Sequence, residues 1–107
     1  MGDTVFFNRL RPYATEQVTV SSAAVSLTTA KVDNTANYPD FKAAGVVLAV
    51  RDDSVYYTTD GTTPSSTNGL LLNNGDVLPL AGYQKIKNFK AIRVTTDAKL
   101  DVHYYKN

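Results

Sequence analysis

The chain has 107 residues, a length typical of one domain, and its 11 basic and 10 acidic side chains give a net charge of +1. This balance argues against a nucleic-acid partner, and the absence of cysteine excludes a disulfide framework, a thiolate metal site and a cysteine nucleophile. The sequence shows no apolar run long enough for a membrane span and no signal-peptide pattern at its start, so we expect a protein made in the cytoplasm with no membrane partner.

The first segment, residues 1–15, is predicted to be an extended arm. Apolar side chains are interleaved there with two arginines, and Pro12 discourages a helix or a central strand. Two interpretations stay open: the aromatic side chains cover one edge of the domain, or the arm lies on a neighbouring subunit. The interface candidates of the arm are Phe6, Phe7, Arg9, Arg11 and Tyr13.

A single β domain is predicted over residues 16–107. Its first part, residues 16–27, alternates apolar and polar side chains and predicts two short strands or one interrupted strand. Residues 28–44 are rich in turn-forming side chains and predict a long loop, with one turn of helix near residues 40–43 and with Tyr38 and Phe41 folded inward over the core. Because long loops in compact domains are often functional, Tyr38 and Phe41 are also interface candidates.

A β-hairpin is predicted over residues 45–59. Its first strand, Gly45–Arg51, is an unbroken apolar run, which is typical of a central strand buried on both faces. The acidic pair at residues 52–53 then supplies a two-residue turn. We expect the following strand to return antiparallel to the first, with Tyr56 and Tyr57 on opposite faces.

A polar loop is predicted to begin at Asp60 and to end at Asn74. It contains several Gly, Pro, Asn and Asp residues, which favour turns, and is interrupted by three leucines that form a short strand or pin the loop onto the end of the domain. The interface candidates in this loop are Asp60, Pro64 and Asn68.

The last third of the chain is predicted to form three more short strands. Residues 76–80 are expected at a sheet edge because Pro79 lacks a backbone donor, and residues 83–87 form one helical turn or a bend. Strands follow over residues 88–95 and 98–105, the second with clear apolar/polar alternation. The whole pattern predicts an all-β fold, an antiparallel β-sandwich or jelly-roll-like barrel of seven or eight short strands with an extended N-terminal arm.

No set of residues predicts a reaction. The only histidine, His103, falls on the polar side of its strand, and no nucleophile-elbow sequence accompanies it. One histidine cannot supply a zinc site, and the aspartates lack the spacing of a calcium loop. Glu16 is the only glutamate, and no good carboxylate pair for glycoside hydrolysis is found. We therefore predict a protein that is not an enzyme, without catalytic residues, metal or cofactor.

A series of short motifs runs through residues 18–105. They include Tyr57-Thr-Thr-Asp-Gly-Thr-Thr-Pro64, Gly69-Leu-Leu, Asn74-Gly-Asp-Val-Leu-Pro-Leu-Ala-Gly82, Ile86-Lys-Asn-Phe-Lys-Ala-Ile-Arg93 and Leu100-Asp-Val-His-Tyr-Tyr105. In this order they resemble a widespread group of small virion proteins of tailed bacteriophages. The resemblance implies a non-enzymatic structural protein, a capsid decoration or cement protein or, alternatively, a tail or head–tail connector component. It also implies that the protein is located in the virion, that its partners are the major capsid protein or other virion proteins, and that it forms a homo-oligomer on the particle.

A second resemblance attaches to part of the same region. The stretch Tyr57–Pro64 is also similar to the signature of a small β-sandwich module appended to chitobiase-type and other carbohydrate-active enzymes, over about residues 55–94. It implies a carbohydrate-binding or host-surface-binding module, in which exposed tyrosines stack on sugars. Such modules are usually part of a longer secreted chain, whereas this sequence shows no signal-peptide pattern at its start. This difference favours the virion interpretation. A free-standing inhibitor or adaptor is the remaining alternative.

Overall fold

The computed structural model describes residues 10–33 and 42–107, which form eight strands and two short helices. The strands are β1 (Arg11–Val20), β2 (Val25–Ser26), β3 (Gly45–Arg51), β4 (Val55–Thr58), β5 (Leu70–Leu72), β6 (Val77–Ala81), β7 (Lys90–Arg93) and β8 (Ala98–Lys106). The helices are α1 (Thr29–Val32) and α2 (Tyr83–Lys87). The predicted turn over residues 83–87 is therefore helical, whereas α1 forms within a segment predicted to be a loop.

The strands form two antiparallel sheets. The first sheet has the order β1-β8-β3-β6 and the second has the order β2-β7-β4-β5. The chain follows the path of one long hairpin, because β1 pairs with β8, β2 with β7, β3 with β6 and β4 with β5. Additional pairing of β3 with β8 and of β4 with β7 rolls this hairpin into two sheets. This is the arrangement of a jelly roll, so the predicted all-β antiparallel sandwich is confirmed.

The hairpin predicted over residues 45–59 is wrong, because β3 and β4 belong to different sheets. Both edges of β3 are occupied, by β6 and β8, and β4 pairs instead with β5 and β7. The acidic pair does form a turn: Asp52 has a φ of 75°, and the Asp53 carboxylate accepts hydrogen bonds from the backbone N–H groups of Thr95 and Thr96 at 2.7 and 2.8 Å. The turn thus carries the chain from one sheet to the other.

The core lies between the two sheets. Strand β8 contributes its apolar positions, as its alternation predicts, since Ala98, Leu100, Val102 and Tyr104 are all fully buried. Strand β3 is central, but only one of its faces is fully buried: Val47 and Ala49 point away from the core and are half-buried. The predicted burial of β3 on both faces is therefore only partly correct.

Strand β1 takes up part of the predicted arm. It begins at Arg11, so residues 11–15 belong to the first sheet, and residues 1–9 lie outside the described residues. Pro12 is accommodated because β1 is an edge strand, and the register with β8 shifts between Pro12 and Ala14. An edge position allows this strand to carry a proline that a central strand would exclude.

Candidate functional site

Five of the ten predicted interface residues have no described position. Residues 1–9 and 34–41 lie outside the described part of the chain. The residues concerned are Phe6, Phe7, Arg9, Tyr38 and Phe41.

The two described candidates of the arm differ in their surroundings. Arg11 is exposed at the start of β1. The Tyr13 ring packs against the core, with its centroid 6.0 Å from that of Tyr104, and its hydroxyl donates a hydrogen bond to the Lys31 carbonyl. Burial, followed by the charge of Asp33, raises the pKa of Tyr13 to about 12. Tyr13 therefore holds β1 against the segment containing α1.

The three loop candidates lie at the tip of the long hairpin, in a loop held together by hydrogen bonds between its own residues. Asp60 Oδ1 accepts hydrogen bonds from the Thr62 hydroxyl at 2.6 Å and from the Thr62 N–H at 3.1 Å, and the hydroxyl bond is the main reason that the pKa of Asp60 lies below its usual range. Asn68 Nδ2 donates to the Thr63 carbonyl at 3.0 Å. Pro64 is fully buried within the chain, so its side chain is not exposed on the surface of this loop.

The edges of the two sheets differ in how they are protected against further strand pairing. Natural β proteins guard exposed edges with prolines, charges or very short strands. Edge strand β1 carries Pro12 and an inward-facing Glu16, edge strand β6 carries Pro79, and edge strand β2 has only two residues. Edge strand β5 is also short, but it consists of three leucines and carries neither proline nor charge. Among the four described edge strands, β5 has two large apolar side chains that are mostly exposed, Leu70 and Leu71, whereas β6 has one, Val77.

Two of the three β5 leucines are exposed to solvent. Leu70 is 63% exposed and Leu71 is 53% exposed, whereas Leu72 is buried in the core. Successive residues of a strand point to opposite faces, so apolar surface is available on both sides of this edge. Leu71 is paired with Tyr56 of β4, which is paired in turn with Ile92 of β7.

An apolar row therefore crosses the outer face of the second sheet. The row consists of Leu71, Tyr56 and Ile92, whose side chains are exposed or only partly buried. Val55 and Ala91, on the inner face of the same sheet, are fully buried. The outer face of an antiparallel sheet is commonly polar, so this row is unusual for a surface exposed to water. We name Leu70, Leu71 and Tyr56 the β5 edge surface.

The turn after β5 holds this surface in a fixed position. The Asp76 carboxylate accepts a hydrogen bond from the Asn73 N–H at 2.9 Å, and the Ser54 hydroxyl accepts one from the Asn74 N–H at 2.9 Å. The Gly75 N–H donates to the Val50 carbonyl at 2.9 Å, and the Val50 N–H donates to the Asp76 carbonyl at 3.0 Å. Because these bonds join both sheets, β5 is anchored at one end to the body of the sandwich.

The loop before β5 anchors its other end. The Thr58 hydroxyl donates to the Thr62 carbonyl at 2.6 Å, so the loop lies over the end of β4. Gly69 has a φ of 128°, and a Cβ atom at this position would lie 2.8 Å from the Tyr57 carbonyl oxygen. Only glycine lets the chain enter β5 this close to β4.

The segment of the chain that contains β5 is acidic, and the nearest basic residues in the same sheet are Lys90 and Arg93 of β7, on the far side of β4. The stretch of residues 52–84 contains four aspartates and no lysine or arginine, and all 11 basic residues lie outside it. Asp60 lines a cavity of about 270 Å³ together with Leu70, and Asp76 lies in the turn after Leu72. Negative charge therefore flanks β5 at both ends.

The described residues also contain a cavity of about 480 Å³ between α1 and α2, lined among others by Val32, Asp33 and Tyr83. Its polar groups are paired with one another: the Tyr83 hydroxyl donates to Asp33 Oδ2 at 2.6 Å, and Lys42 Nζ lies 4.9 Å from the centroid of the Tyr83 ring. Across residues 10–33 and 42–107, no group of three His, Asp or Glu side chains is placed to hold a metal ion. His103 is exposed on the outer face of the first sheet, as its position in the alternation predicts.

None of the helices in the described ranges is long and apolar enough to cross a membrane. No family model, curated protein or solved structure matches this chain.

Sequence reasoning placed the contacts in the arm and in the polar loop, and it did not predict the exposure of Leu70 and Leu71. The signal in the sequence is the run of three leucines without polar alternation, inside a long stretch that lacks basic residues. A run of this kind also fits a strand buried on both faces, and only the edge position of β5 distinguishes the two.

Proposed function

We propose that this protein is a non-enzymatic structural component of a tailed-phage virion, a capsid decoration protein that stabilises the head by binding neighbouring capsid subunits. The observation that carries the proposal is the β5 edge surface, an apolar strand edge with two exposed leucines, which is anchored at both ends to the β-sandwich. Exposed apolar patches and unpaired strand edges are typical of surfaces that bind other proteins.

Two further considerations support this role. The ordered motifs of residues 57–105 resemble those of small phage virion proteins. The jelly-roll arrangement is used by viral capsid domains, although also by lectins and cupins, so the fold alone favours no single function. A net charge near zero lets many copies lie close together on a particle without strong mutual repulsion.

The role is tested on purified particles of the phage that encodes this chain. We expect mass spectrometry to detect the chain in these particles, at a copy number comparable with that of the major capsid protein. Immunogold labelling should cover the whole head, whereas labelling confined to the tail or the neck would instead assign the protein to those parts. A chain that stays in the soluble fraction after particle purification would show that it is not a virion component.

The surface is tested by comparing two substitutions in the same assay. Leu71→Lys adds a charge to the β5 edge surface, and we expect it to lower incorporation into particles by about tenfold or more. Val94→Lys is the matched control, because Val94 is a 38% exposed apolar residue outside this surface. Normal incorporation of a folded Leu71→Lys protein would exclude the β5 edge surface from the contact with the particle.

A further inference from the structure

We propose that the β5 edge surface binds the N-terminal segment of a second copy of this chain, residues 2–9, as an added strand beside β5. This inference names a neighbouring copy of this chain on the particle, in place of a capsid subunit, as the partner of the β5 edge surface, and it rests on the proposed structural role. It is tested on the isolated protein, so that its outcome is independent of incorporation into particles.

The unpaired edge of β5 is suited to an added strand. Its backbone pairs with β4 on one side, and on the other side no described strand lies against it. An extended segment can satisfy the free N–H and C=O groups of such an edge, while its alternate side chains contact surfaces on the two faces of the sheet. Leu70 and Leu71 point to opposite faces and are both more than half exposed, so an occupant needs adjacent apolar residues.

The sequence before β1 contains such a pair. Phe6 and Phe7 are adjacent, and in an extended strand one ring would cover Leu70 and the other would cover Leu71. Val5 adds a third apolar side chain. No residue between Thr4 and Leu10 is proline or glycine, so the segment can donate backbone hydrogen bonds throughout this range.

The charge beside the two phenylalanines complements those of the edge. Arg9 follows Phe7 closely, whereas Asp3, the other charged side chain of the segment, lies six residues before Arg9. Asp60 and Asp76 flank β5 at its two ends, so Arg9 lies towards a carboxylate whichever direction the added strand takes. Two β5 strands paired with each other would instead bring the acidic residues of both copies together, which disfavours that arrangement.

The length of the segment favours a second copy over the chain's own edge. Strands β1 and β6 are the two edge strands of the first sheet. A tight turn joins β6 to β5, so β5 lies at the far side of the sandwich from β1. With strands about 4.8 Å apart and sheets about 10 Å apart, a strand added beside β5 would lie roughly 22 Å from β1. Phe7 precedes Arg11 by only about 14 Å of fully extended chain, and Phe6 by about 18 Å. The backbone at Phe6 or Phe7 is therefore too close to β1 along the chain to lie in a strand added beside β5 of the same chain.

Engineered disulfides test the contact directly, because the chain has no cysteine of its own. The variant Asn8→Cys is mixed in turn with Asn74→Cys and with Ser66→Cys, one on each side of β5, and oxidised under mild conditions. We expect a disulfide between two chains in at least one of these mixtures. The mixture of Asn8→Cys with His103→Cys is the control, since His103 is exposed on the other sheet and should not crosslink efficiently.

Other crosslinking patterns would overturn the inference. A double variant carrying Asn8→Cys and Asn74→Cys that forms only an intrachain bond would show that the segment binds its own chain. Rapid dimerisation of Asn74→Cys alone would indicate pairing of β5 with β5. Absence of a disulfide above the level of the His103 control, in both mixtures, would exclude the contact.

Self-association of the full chain provides a second measurement. We expect sedimentation velocity to show concentration-dependent association of the wild-type protein. The double substitution Phe6→Ser with Phe7→Ser and the single substitution Leu71→Lys should each weaken it by about tenfold or more. Val94→Lys should leave it unchanged. Equal association of all four proteins, or a wild-type protein that stays monomeric throughout the micromolar range, would contradict the inference.

Discussion

At the scale of single residues, the most consequential polar contact in the interior joins β1 to β8. Tyr104 is fully buried, and its hydroxyl donates a hydrogen bond to a carboxylate oxygen of Glu16. The same carboxylate accepts from the Thr28 hydroxyl at 2.5 Å and from the Thr28 N–H at 3.3 Å. Burial, then the bond to Glu16, raises the pKa of Tyr104. The only glutamate of the chain thus accepts hydrogen bonds both from the buried Tyr104 and from the exposed Thr28.

We expect Glu16→Ala to lower the free energy of unfolding by about 1–3 kcal/mol, because the buried Tyr104 hydroxyl loses its acceptor. Urea denaturation measures this change. Gln17→Ala is the matched control: Gln17 is the exposed neighbour of Glu16 and should change stability by less than about 0.5 kcal/mol. In a Tyr104→Phe background the substitution at Glu16 should cost less, since no hydroxyl is left without a partner. Equal costs in both backgrounds would show that the contact is not what stabilises β1.

A second residue-scale prediction concerns Asp53, whose hydrogen bonds from the Thr95 and Thr96 N–H groups lower its pKa below the ordinary value of 3.8. A native pKa below the unfolded one means that the carboxylate stabilises the fold above the ordinary value and that this contribution is lost as the pH falls through the lower native pKa. We expect Asp53→Asn to be less stable than the wild type at pH 7 and the difference to shrink below about pH 4.

Thermal unfolding at several pH values checks this prediction. Asp52→Asn is the control, because Asp52 makes a long ion pair with Lys99 at 3.8 Å, in which both side chains are substantially exposed. Such a pair contributes little to stability. A difference between Asp53→Asn and wild type that stays constant from pH 7 to pH 2 would contradict the role of the Asp53 charge.

At the scale of elements, the sequence predicts strands better than their partners. The alternation of β8 and the edge position of β6 are both confirmed. Both depend on the residues of the strand itself: alternating apolar side chains bury one face of β8, and Pro79 has no backbone N–H to donate to a further strand. The pairing of β3 with β4 is wrong for a physical reason: a turn at Asp52 reverses the chain equally well within one sheet or between two. Which sheet β4 joins depends on β5 and β7, which lie far along the chain.

The candidate site shows the same limit. Turn chemistry correctly identified a loop beginning at Asp60, but it could not show that Pro64 would be buried. The three leucines were predicted as a short strand or an anchor, and β5 is the strand. The exposure of Leu70 and Leu71 follows from the position of β5 at the edge of its sheet, which is a property of the whole topology.

The glycine before β5 allows a prediction at this scale. A methyl group on Gly69 would lie 2.8 Å from the Tyr57 carbonyl oxygen, and the backbone φ of 128° is unfavourable for alanine. We therefore expect Gly69→Ala to lower the free energy of unfolding by about 2 kcal/mol or more. Gly75 has a φ of 94° with open space around it, and Gly75→Ala should cost about 1 kcal/mol from backbone strain alone. Chemical denaturation of both variants measures the difference. A smaller loss for Gly69→Ala than for Gly75→Ala would contradict the close approach of β5 to β4.

At the scale of the whole molecule, charge and apolar surface are distributed unevenly. Residues 52–84 supply the β5 edge surface and four aspartates, and all basic residues belong to the rest of the chain. A molecule with this asymmetry favours contact between unlike surfaces of successive copies. Such head-to-tail contacts form rings or open filaments according to the rotation between copies.

The unlike charges predict a dependence of self-association on salt. We expect the association constant of the isolated protein to fall when the salt concentration is raised from about 0.05 M to 0.5 M, because exposed charges separated by more than the screening length no longer attract one another. Sedimentation at the two concentrations measures this change, and Arg9→Gln should reduce the dependence. An association constant that is the same at both salt concentrations would show that the arginines do not contribute.

The pairing of β1 with β8 also has a consequence for synthesis of the protein. β1 pairs with β8, which follows all the other described strands along the chain, and β8 also lies between β1 and β3. The first sheet therefore cannot close before β8 has been synthesised, and contacts between distant parts of a chain form slowly. We expect a chain truncated before β8 to leave the core open and to be cleaved by proteases faster than the full chain. The native sandwich thus becomes available only after β8 has been added.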